Sequence, residues 1–237
     1  MTQAYLELEE VQKLEQAAEY LRDKLLVRLL FHLGCRVSEV LGLRVEDLDF
    51  KVGTVTIQHL KTRIKLSCPQ CGVRLGKQHK FCPVCGMVVE QAVSQAKEHR
   101  RYRRLPVDKE TLNLLKEYLA RGGAANKQGK RLVFGLSRHR AWQIVRDLAI
   151  LAGLPRLVIS ESGKVHNVSP HRLRDAFAVN AVKHNDSGDG LRLLQEHLGH
   201  SSISTTMKYR KVSGDEQKAW YDQLWKGDQG NGKIQKS

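Results

Sequence analysis

Two short segments in the last third of this 237-residue chain set basic groups beside a phenol. Ser169-Pro170-His171-Arg172-Leu173-Arg174 supplies His171 and Arg174, and Leu198-Gly199-His200 is followed at a short distance by Tyr209. Ser169 then Pro170 fit an N-cap and a first helical position. On the helix they open, residues three apart leave the same face. His171 and Arg174 thus fall in its first turns, where backbone N–H groups also favour an anion, and one phosphate can meet all of these donors. Gly199, in a left-handed conformation, would end a helix and aim His200 away from its axis. A tyrosine beside such a set suits attack on a phosphodiester. Taken singly, each residue has a duller reading: exposed basic groups at a helix start, a surface or core histidine, a packing tyrosine.

Four of the five cysteines form a second group, Cys68-x-x-Cys71 and Cys82-x-x-Cys85, with ten residues between the pairs. Each pair sits in a Cys-Pro-x-Cys-Gly knuckle, whose tight turn aims two thiolates at one tetrahedral ion. Two disulfides are the alternative, disfavoured in a chain without an export signal. The spacing predicts one structural Zn²⁺ held by Cys68, Cys71, Cys82 and Cys85, with no coordination position left for chemistry. Cys35 is left over and reads as a small buried hydrophobe.

The elements that must position these groups follow from periodicity. Residues 7–33 carry a helical pattern with Leu25, Leu26, Leu29, Leu30 and Leu33 as the apolar stripe and Gly34 as its stop. A short helix follows Arg36, and Val52 to Gln58 alternate as a strand. The cysteine segment interrupts this region, and a basic stretch from Lys97 to Val107 returns from it, so the sheet reads as split by an insertion. Asp108 caps a helix through Leu119, and Trp142, Val145, Leu148 and Ala149 mark another helix face. The helix from Ser169 runs through Val182, Asp189 caps the next, and Ser202 starts one that contains Tyr209. An amphipathic segment with Trp220, Leu224 and Trp225 precedes a polar tail, 226–237, expected to be disordered. The fold class expected is α+β, mainly helical, with a small antiparallel sheet and an inserted zinc ribbon.

Forty Lys and Arg against 25 Asp and Glu leave a formal charge of +15, which favours a polyanionic partner, nucleic acid first and an anionic membrane second. With 41% hydrophobic residues the chain can bury a sizeable core. No apolar run is long enough to cross a bilayer, and residues 1–4 lead to an acidic stretch, unlike a signal peptide. A cytoplasmic protein is expected, with no membrane partner.

Taken in order, Gly34-Cys35-Arg36-Val37-Ser38-Glu39-Val40-Leu41-Gly42-Leu43, His171-x-x-Arg174 and the string from Leu198 to Tyr209 resemble the motifs of the tyrosine recombinases, the family of phage integrases and chromosome-resolving recombinases. The resemblance covers residues 7–225 apart from the cysteine segment. It implies a catalytic domain made of 1–65 and 97–225, interrupted by a zinc ribbon at 66–96. It makes Arg36 the first phosphate-binding arginine and Glu39 a supporting acid, where the plainer reading is a surface Arg36–Glu39 pair. Arg36 and Arg174 would clamp the nonbridging oxygens of the reacting phosphate in planar, bidentate fashion. Tyr209 would attack to form a 3′-phosphotyrosine and release a 5′-hydroxyl, storing the bond energy, so that neither ATP nor a catalytic metal is required. A phenol of ordinary pKa near 10 needs help to lose its proton, from the guanidiniums and from His171 or His200. Lys61, in Gln58-His59-Leu60-Lys61-Thr62-Arg63, matches the lysine that protonates the leaving oxygen. The cysteine insertion replaces the family's tight turn there, and Lys65 is the alternative.

The partners implied are double-stranded DNA and further copies of the chain, four protomers joining two sites in a synapse. Family members usually carry a separate helical core-binding domain first, so the chain resembles an isolated catalytic half. The stretch Lys97–Arg104 with Tyr102 either tracks a DNA backbone or is a solvated strand end, and the ribbon either extends that surface or closes a long loop. The segment with Trp220 and Trp225 docks on a neighbouring protomer or on its own core. Two rival functions remain: a regulator that binds DNA through its zinc ribbon without cutting it, and a type IB topoisomerase.

Overall fold

The computed structural model describes residues 4–76, 78–89, 93–158, 163–210 and 221–223. Its centre is a helix that is buried on all sides from Leu25 to Phe31. Helix α2 (Leu21–His32) buries Leu25, Leu26, Val27, Leu29, Leu30 and Phe31, and packs against α1 (Leu8–Ala17), α4 (Lys109–Ala120) and α6 (Pro170–His184). Arg28 of α2 is also buried, and it is tolerated there because it is fully engaged. Its guanidinium reaches Glu15 at 2.8 Å, Thr111 Oγ1 at 3.0 Å, Asp108 at 3.2 Å and Glu110 at 3.1 Å, tying α1 and α4 to α2.

Residues 7–33 thus form two helices. The chain breaks at 18–20 without a Gly or Pro to mark it, because folding α1 back onto α2 buries Val11 and Leu14, and packing outweighs local preference. Helix α3 (Val37–Leu41) follows Gly34, whose φ is +54°; a Cβ there would stand 2.4 Å from the Phe177 ring, so glycine is needed at that corner. Asp108 caps α4 by accepting from Thr111 N–H, as its position suggests. In α5 (Arg138–Leu151), Val145, Leu148 and Ala149 are buried and Trp142 is exposed.

The sheet is not split. Strand β1 (Leu48–Asp49) pairs with the base of β2 (Thr54–Ser67), and β2 pairs antiparallel with β4 (Val93–Pro106) along its full length, from Thr54↔Pro106 to Ser67↔Val93. The short β3 (Arg74–Leu75) pairs with Ser67 and Leu66 at the far end. The strand expected at 52–58 therefore continues for nine further residues, and the cysteine segment closes the tip of a long ribbon whose base, Val55, Ile57 and Leu105, lies in the core. Two two-stranded pairs, β5 (Ala125–Lys127) with β6 (Lys130–Leu132) and β7 (Leu157–Val158) with β8 (Val165–His166), complete the strands described. The architecture is α+β and mainly helical, as expected.

Near the C-terminal end, α6 begins at Pro170 with extended Ser169 before it, and runs to His184. Ser187, and not Asp189, caps α7 (Gly188–Leu198): its hydroxyl accepts from Gly190 N–H, while Asp189 lies in the first turn. Gly199 ends α7 at φ +64°. Helix α8 (Ile203–Met207) stops short of Tyr209, which lies in the turn beyond it. The expectations for Trp220, Leu224, Trp225 and 226–237 fall outside the described residues. No helix among the described residues is long and apolar enough to cross a membrane.

Candidate active site and metal centre

The ends of three elements meet behind α2. Arg36 is the N-cap of α3, Arg174 lies one turn into α6, and the Leu198 carbonyl ends α7. Arg174 is only 2% exposed; its Nη1 donates to the Gly34 carbonyl at 2.6 Å and its Nη2 to the Leu198 carbonyl at 2.8 Å. The same Leu198 carbonyl accepts from Arg103 Nη1 at 2.6 Å. A Cβ on Gly199 would come within 2.0 Å of that nitrogen, so the left-handed glycine also makes room for Arg103.

Glu39 stands among three guanidiniums. One oxygen pairs with Arg36 Nη1 at 3.1 Å, and the other takes Arg103 Nη2 at 2.9 Å and the Arg36 backbone N–H at 2.9 Å, with Arg174 Nη1 at 4.0 Å. Burial alone would raise its pKa, but Arg103, the Arg36 N–H and the Arg36 and Arg174 charges outweigh it and hold the carboxyl below its usual range. Arg174 is lowered to about 10, first by burial and then by Arg36, and stays charged at neutral pH. Three cations around one carboxylate leave a net positive centre, which suits a bound anion. Cys35 beside it is buried, its thiol pushed up to about 12 by burial, consistent with a packing role.

His200 touches this centre. Its Nε2 lies 3.1 Å from Arg174 Nη2 and its Nδ1 2.9 Å from the hydroxyl of buried Thr206. A guanidinium only donates, so Nε2 accepts, and Nδ1 carries the proton and donates to Thr206. Burial, then Arg174 and Arg36, lower the imidazole to about 4, so it is neutral at pH 7. Tyr209 stacks on His200, ring centroids 6.4 Å apart, and packs against the small core formed by Ala178, Val182, Leu191, Leu194 and Leu198. Its hydroxyl donates to Asp175 Oδ1 at 2.8 Å. Burial, followed by the Asp175 charge and this hydrogen bond, raises the phenol above its ordinary value.

Arg36, Arg174, His200 and Tyr209 are thus brought together. His171 is at the rim, its side chain 69% exposed and its Nε2 3.8 Å from the same Asp175 oxygen, and so it does not share the buried surroundings of Arg174. Lys61 sits in mid-ribbon opposite His99, and Lys65 opposite Gln95; the side chains of both lie outside the described part. Two residues of the site escaped the sequence reading. Asp175 holds the phenol and pairs with Arg172 at 2.9 Å, and its only signal was adjacency to Arg174. Arg103 belongs to the basic stretch Lys97–Arg104, expected either to track a DNA backbone or to be a solvated strand end, yet its side chain is 11% exposed. The two-residue period of a strand, counted back from buried Leu105, would have pointed it inward. A cleft of about 470 Å³ opens beside it, lined by Tyr102, Arg103, Arg192, Gln195 and His200 among others.

At the ribbon tip the four sulfurs of Cys68, Cys71, Cys82 and Cys85 lie within 4.8 Å of one another. Cys68 and Cys85 are 3.6 Å apart, and Cys71 and Cys82 3.5 Å. Four thiolates at a Zn–S bond of about 2.3 Å in a tetrahedron stand about 3.8 Å apart, so the donor set fits. The two knuckles repeat one geometry: Gly72 N–H bonds the Cys68 carbonyl and Gly86 N–H the Cys82 carbonyl, each at 3.0 Å, with both glycines at positive φ. Backbone N–H groups lower the Cys82 thiol to about 6 and lower Cys68 as well, whereas Cys71 and Cys85, although backbone N–H groups favour their thiolates too, are pushed up by the sulfurs crowded beside them.

A family model described as the phage integrase family matches residues 4–71 and 84–216; the unmatched 72–83 runs from Gly72 of the first knuckle to Pro83 of the second and includes Cys82. Among curated proteins, tyrosine recombinase XerD of Corynebacterium glutamicum is 28% identical over 214 residues, covering 87% of this chain and 52% of that protein. Tyrosine recombinase XerC of Syntrophus aciditrophicus is 30% identical over 207 residues, covering 85% and 53%. The chain spans about half the length of these relatives. The crystal structure of XerH site-specific recombinase bound to difH substrate, a pre-cleavage complex, superposes with a TM-score of 0.60 at 21% identity over 94% of this chain and 54% of that one, a likeness of fold.

Proposed function

Because this chain belongs to the phage integrase family, we propose that it is a site-specific DNA strand transferase that cuts and rejoins duplex DNA through a phosphotyrosine. The observation that carries the reading is the meeting of Arg36, Arg174, His200 and Tyr209 at one positively charged centre. A backbone phosphate entering there is held by the Arg36 and Arg174 guanidiniums, whose planar donors match its nonbridging oxygens as charge builds in the in-line transition state. Arg174 cannot swing, since the Gly34 and Leu198 carbonyls fix it from behind. Neutral His200 adds no charge of its own and keeps the Arg174 head in place.

Tyr209 is the nucleophile. The proton it gives up already points at Asp175, whose same oxygen faces His171, so this pair forms the exit for that proton. The phosphorus–oxygen bond to the 5′-oxygen breaks as the tyrosyl 3′-phosphodiester forms, and Lys61, or Lys65, gives the departing oxygen its proton. A 5′-hydroxyl then reverses the step and reseals a strand. Exchange between two sites takes four protomers.

Cys68, Cys71, Cys82 and Cys85 hold one structural Zn²⁺, which links the two knuckles and closes the ribbon. With four protein ligands it is saturated and supports folding. The zinc ribbon at 66–96 interrupts a catalytic domain of 1–65 and 97–225.

The test is the Tyr209→Phe protein on duplexes nicked at candidate sites. Binding is expected to persist and covalent adducts on denaturing gels to vanish; adducts that survive would remove Tyr209 from its role. Duplex binding with no cleavage by the wild type would favour a DNA-binding regulator, and relaxation of supercoils without exchange a topoisomerase.

A further inference from the structure

Arg174 is held from behind by two carbonyls that belong to distant parts of the chain. Gly34 follows the end of α2, Leu198 ends α7, and the guanidinium bridges them at 2.6 and 2.8 Å. The guanidinium fork is rigid, so its place is set by the separation of these two oxygens. Among the described residues one further hydrogen bond joins the two helix ends, and it lies next to both carbonyls. His197 Nε2 is 3.1 Å from the Leu33 carbonyl; Leu33 is the neighbour of Gly34, and His197 the neighbour of Leu198. A carbonyl only accepts, so Nε2 carries the proton and donates. The Cys35 thiol, 3.6 Å from the same oxygen, is a weak second donor.

The imidazole is seated as well as bonded. It stacks on Phe177, ring centroids 4.9 Å apart and planes 26° from parallel. Phe177 lies three residues beyond Arg174 on α6, hence on the same side of that helix, and packs against both the main core and the small core around Leu194. His197 therefore touches the end of α2, the end of α7 and the turn of α6 that carries Arg174. Burial lowers its pKa against the Leu33 hydrogen bond, and the Arg103 and Arg174 charges lower it further, so the ring is neutral at pH 7 and adds no charge to the centre. The helix itself does not call for histidine at this position. Leu191, Leu194 and Leu198 supply the buried face of α7, and a leucine at 197 has the higher helix propensity, but it could not donate to Leu33.

We propose that His197 is a positioning residue for strand transfer: its bond to Leu33 fixes the separation of the Gly34 and Leu198 carbonyls, and with it the place of the Arg174 guanidinium that receives the phosphate. This role rests on the strand-transfer reading, because it takes a backbone phosphate as the group that Arg174 holds. His197 touches no reacting atom and acts through Arg174 alone. A displacement of about 1 Å in a group that orients the reacting centre can cost about a hundred-fold in rate, so a single hydrogen bond behind the guanidinium is enough to matter.

The experiment follows covalent adducts of the full chain on a nicked duplex at saturating DNA, beside duplex affinity and Tm. His197→Phe keeps a ring against Phe177 and loses the donor; it is expected to bind duplex as the wild type does and to form adducts about ten-fold more slowly or worse. His197→Gln returns an N–H donor near the place of Nε2 and should recover most of that rate. A duplex with a methylphosphonate at the scissile position separates positioning from folding, because this neutral group leaves the Arg174 fork a single nonbridging oxygen and no charge to hold; there the loss should shrink to about two-fold. Should the ring exchange prevent folding, His197→Leu carries the same expectations, and a chain that folds with neither overturns the positioning role, since the hydrogen bond would then hold the fold. An unchanged rate in His197→Phe, equal losses on the two substrates, or a His197→Gln protein no faster than His197→Phe also overturns it and leaves strand transfer intact. A wild type that forms no adduct on any nicked duplex overturns strand transfer, and the role of His197 with it.

Discussion

Replacing Glu39 by Gln keeps the size of the side chain and removes the charge at the point where Arg36, Arg103 and Arg174 converge. The Glu39 and Arg174 side chains are each 2% exposed and Arg103 11%, so water can do little to compensate. At an effective dielectric near 20, two unit charges about 4 Å apart interact by about 4 kcal/mol, and removing one partner of a buried pair commonly costs about 3–5 kcal/mol. For a chain of this size each kcal/mol lowers Tm by roughly 2–4 °C, so Glu39→Gln should melt about 10 °C or more below the wild type. Sulfate offers a second reading of the same physics. The variant's centre gains one unit of positive charge, so sulfate should raise its Tm more than it raises that of the wild type, at matched ionic strength. Calorimetry on both proteins in chloride and in sulfate decides the matter. A Tm within about 2 °C of the wild type, with no added sulfate response, would refute the claim that Glu39 holds three cations together.

Further expectations follow from neighbouring groups. Asp175→Asn removes the charge that, after burial, most opposes ionisation of Tyr209, so phenolate absorbance should appear at lower pH than in the wild type; an unchanged titration would detach Asp175 from the phenol. His200 has a folded pKa of about 4 against about 6.5 unfolded, so the unfolded chain binds more protons between these values. Its stabilising contribution is complete above pH 6.5 and is lost as pH falls towards 4; in that window the Tm of His200→Gln should fall less steeply with acid than that of the wild type. A chelator should release one zinc ion per chain and expose the backbone of 66–88 to hydrogen exchange while the helical core stays protected; a protein carrying no metal, with unchanged exchange, would contradict the metal centre.

The order Arg36, His171-x-x-Arg174, His200, Tyr209 was legible because chemistry restricts residue type, and the knuckles because metal geometry restricts spacing. Asp108 and Gly199 were legible as helix ends because capping is local. The choice of partners was not. Arg103 looks like its basic neighbours until Glu39 and Leu198, distant in sequence, define which side is inside. Asp175 finds Tyr209 only when α8 ends early and the following turn carries the phenol back onto α6. The length of β2 and β4 was hidden for a related reason. The outer half of β2 alternates, Leu60, Ile64 and Leu66 against Lys61, Arg63 and Lys65, but that of β4, from Ser94 to Arg101, has no apolar period, and backbone pairing with β2 leaves no signature there.

The most direct measurement is peptide mapping, by mass spectrometry, of the wild-type protein trapped on a nicked duplex. The expected product is a single modified peptide in which Tyr209 carries a nucleotide through its 3′-phosphate, with a free 5′-hydroxyl on the released strand. A nucleotide on any other residue, or a 5′-phosphate linkage, would contradict strand transfer by this site.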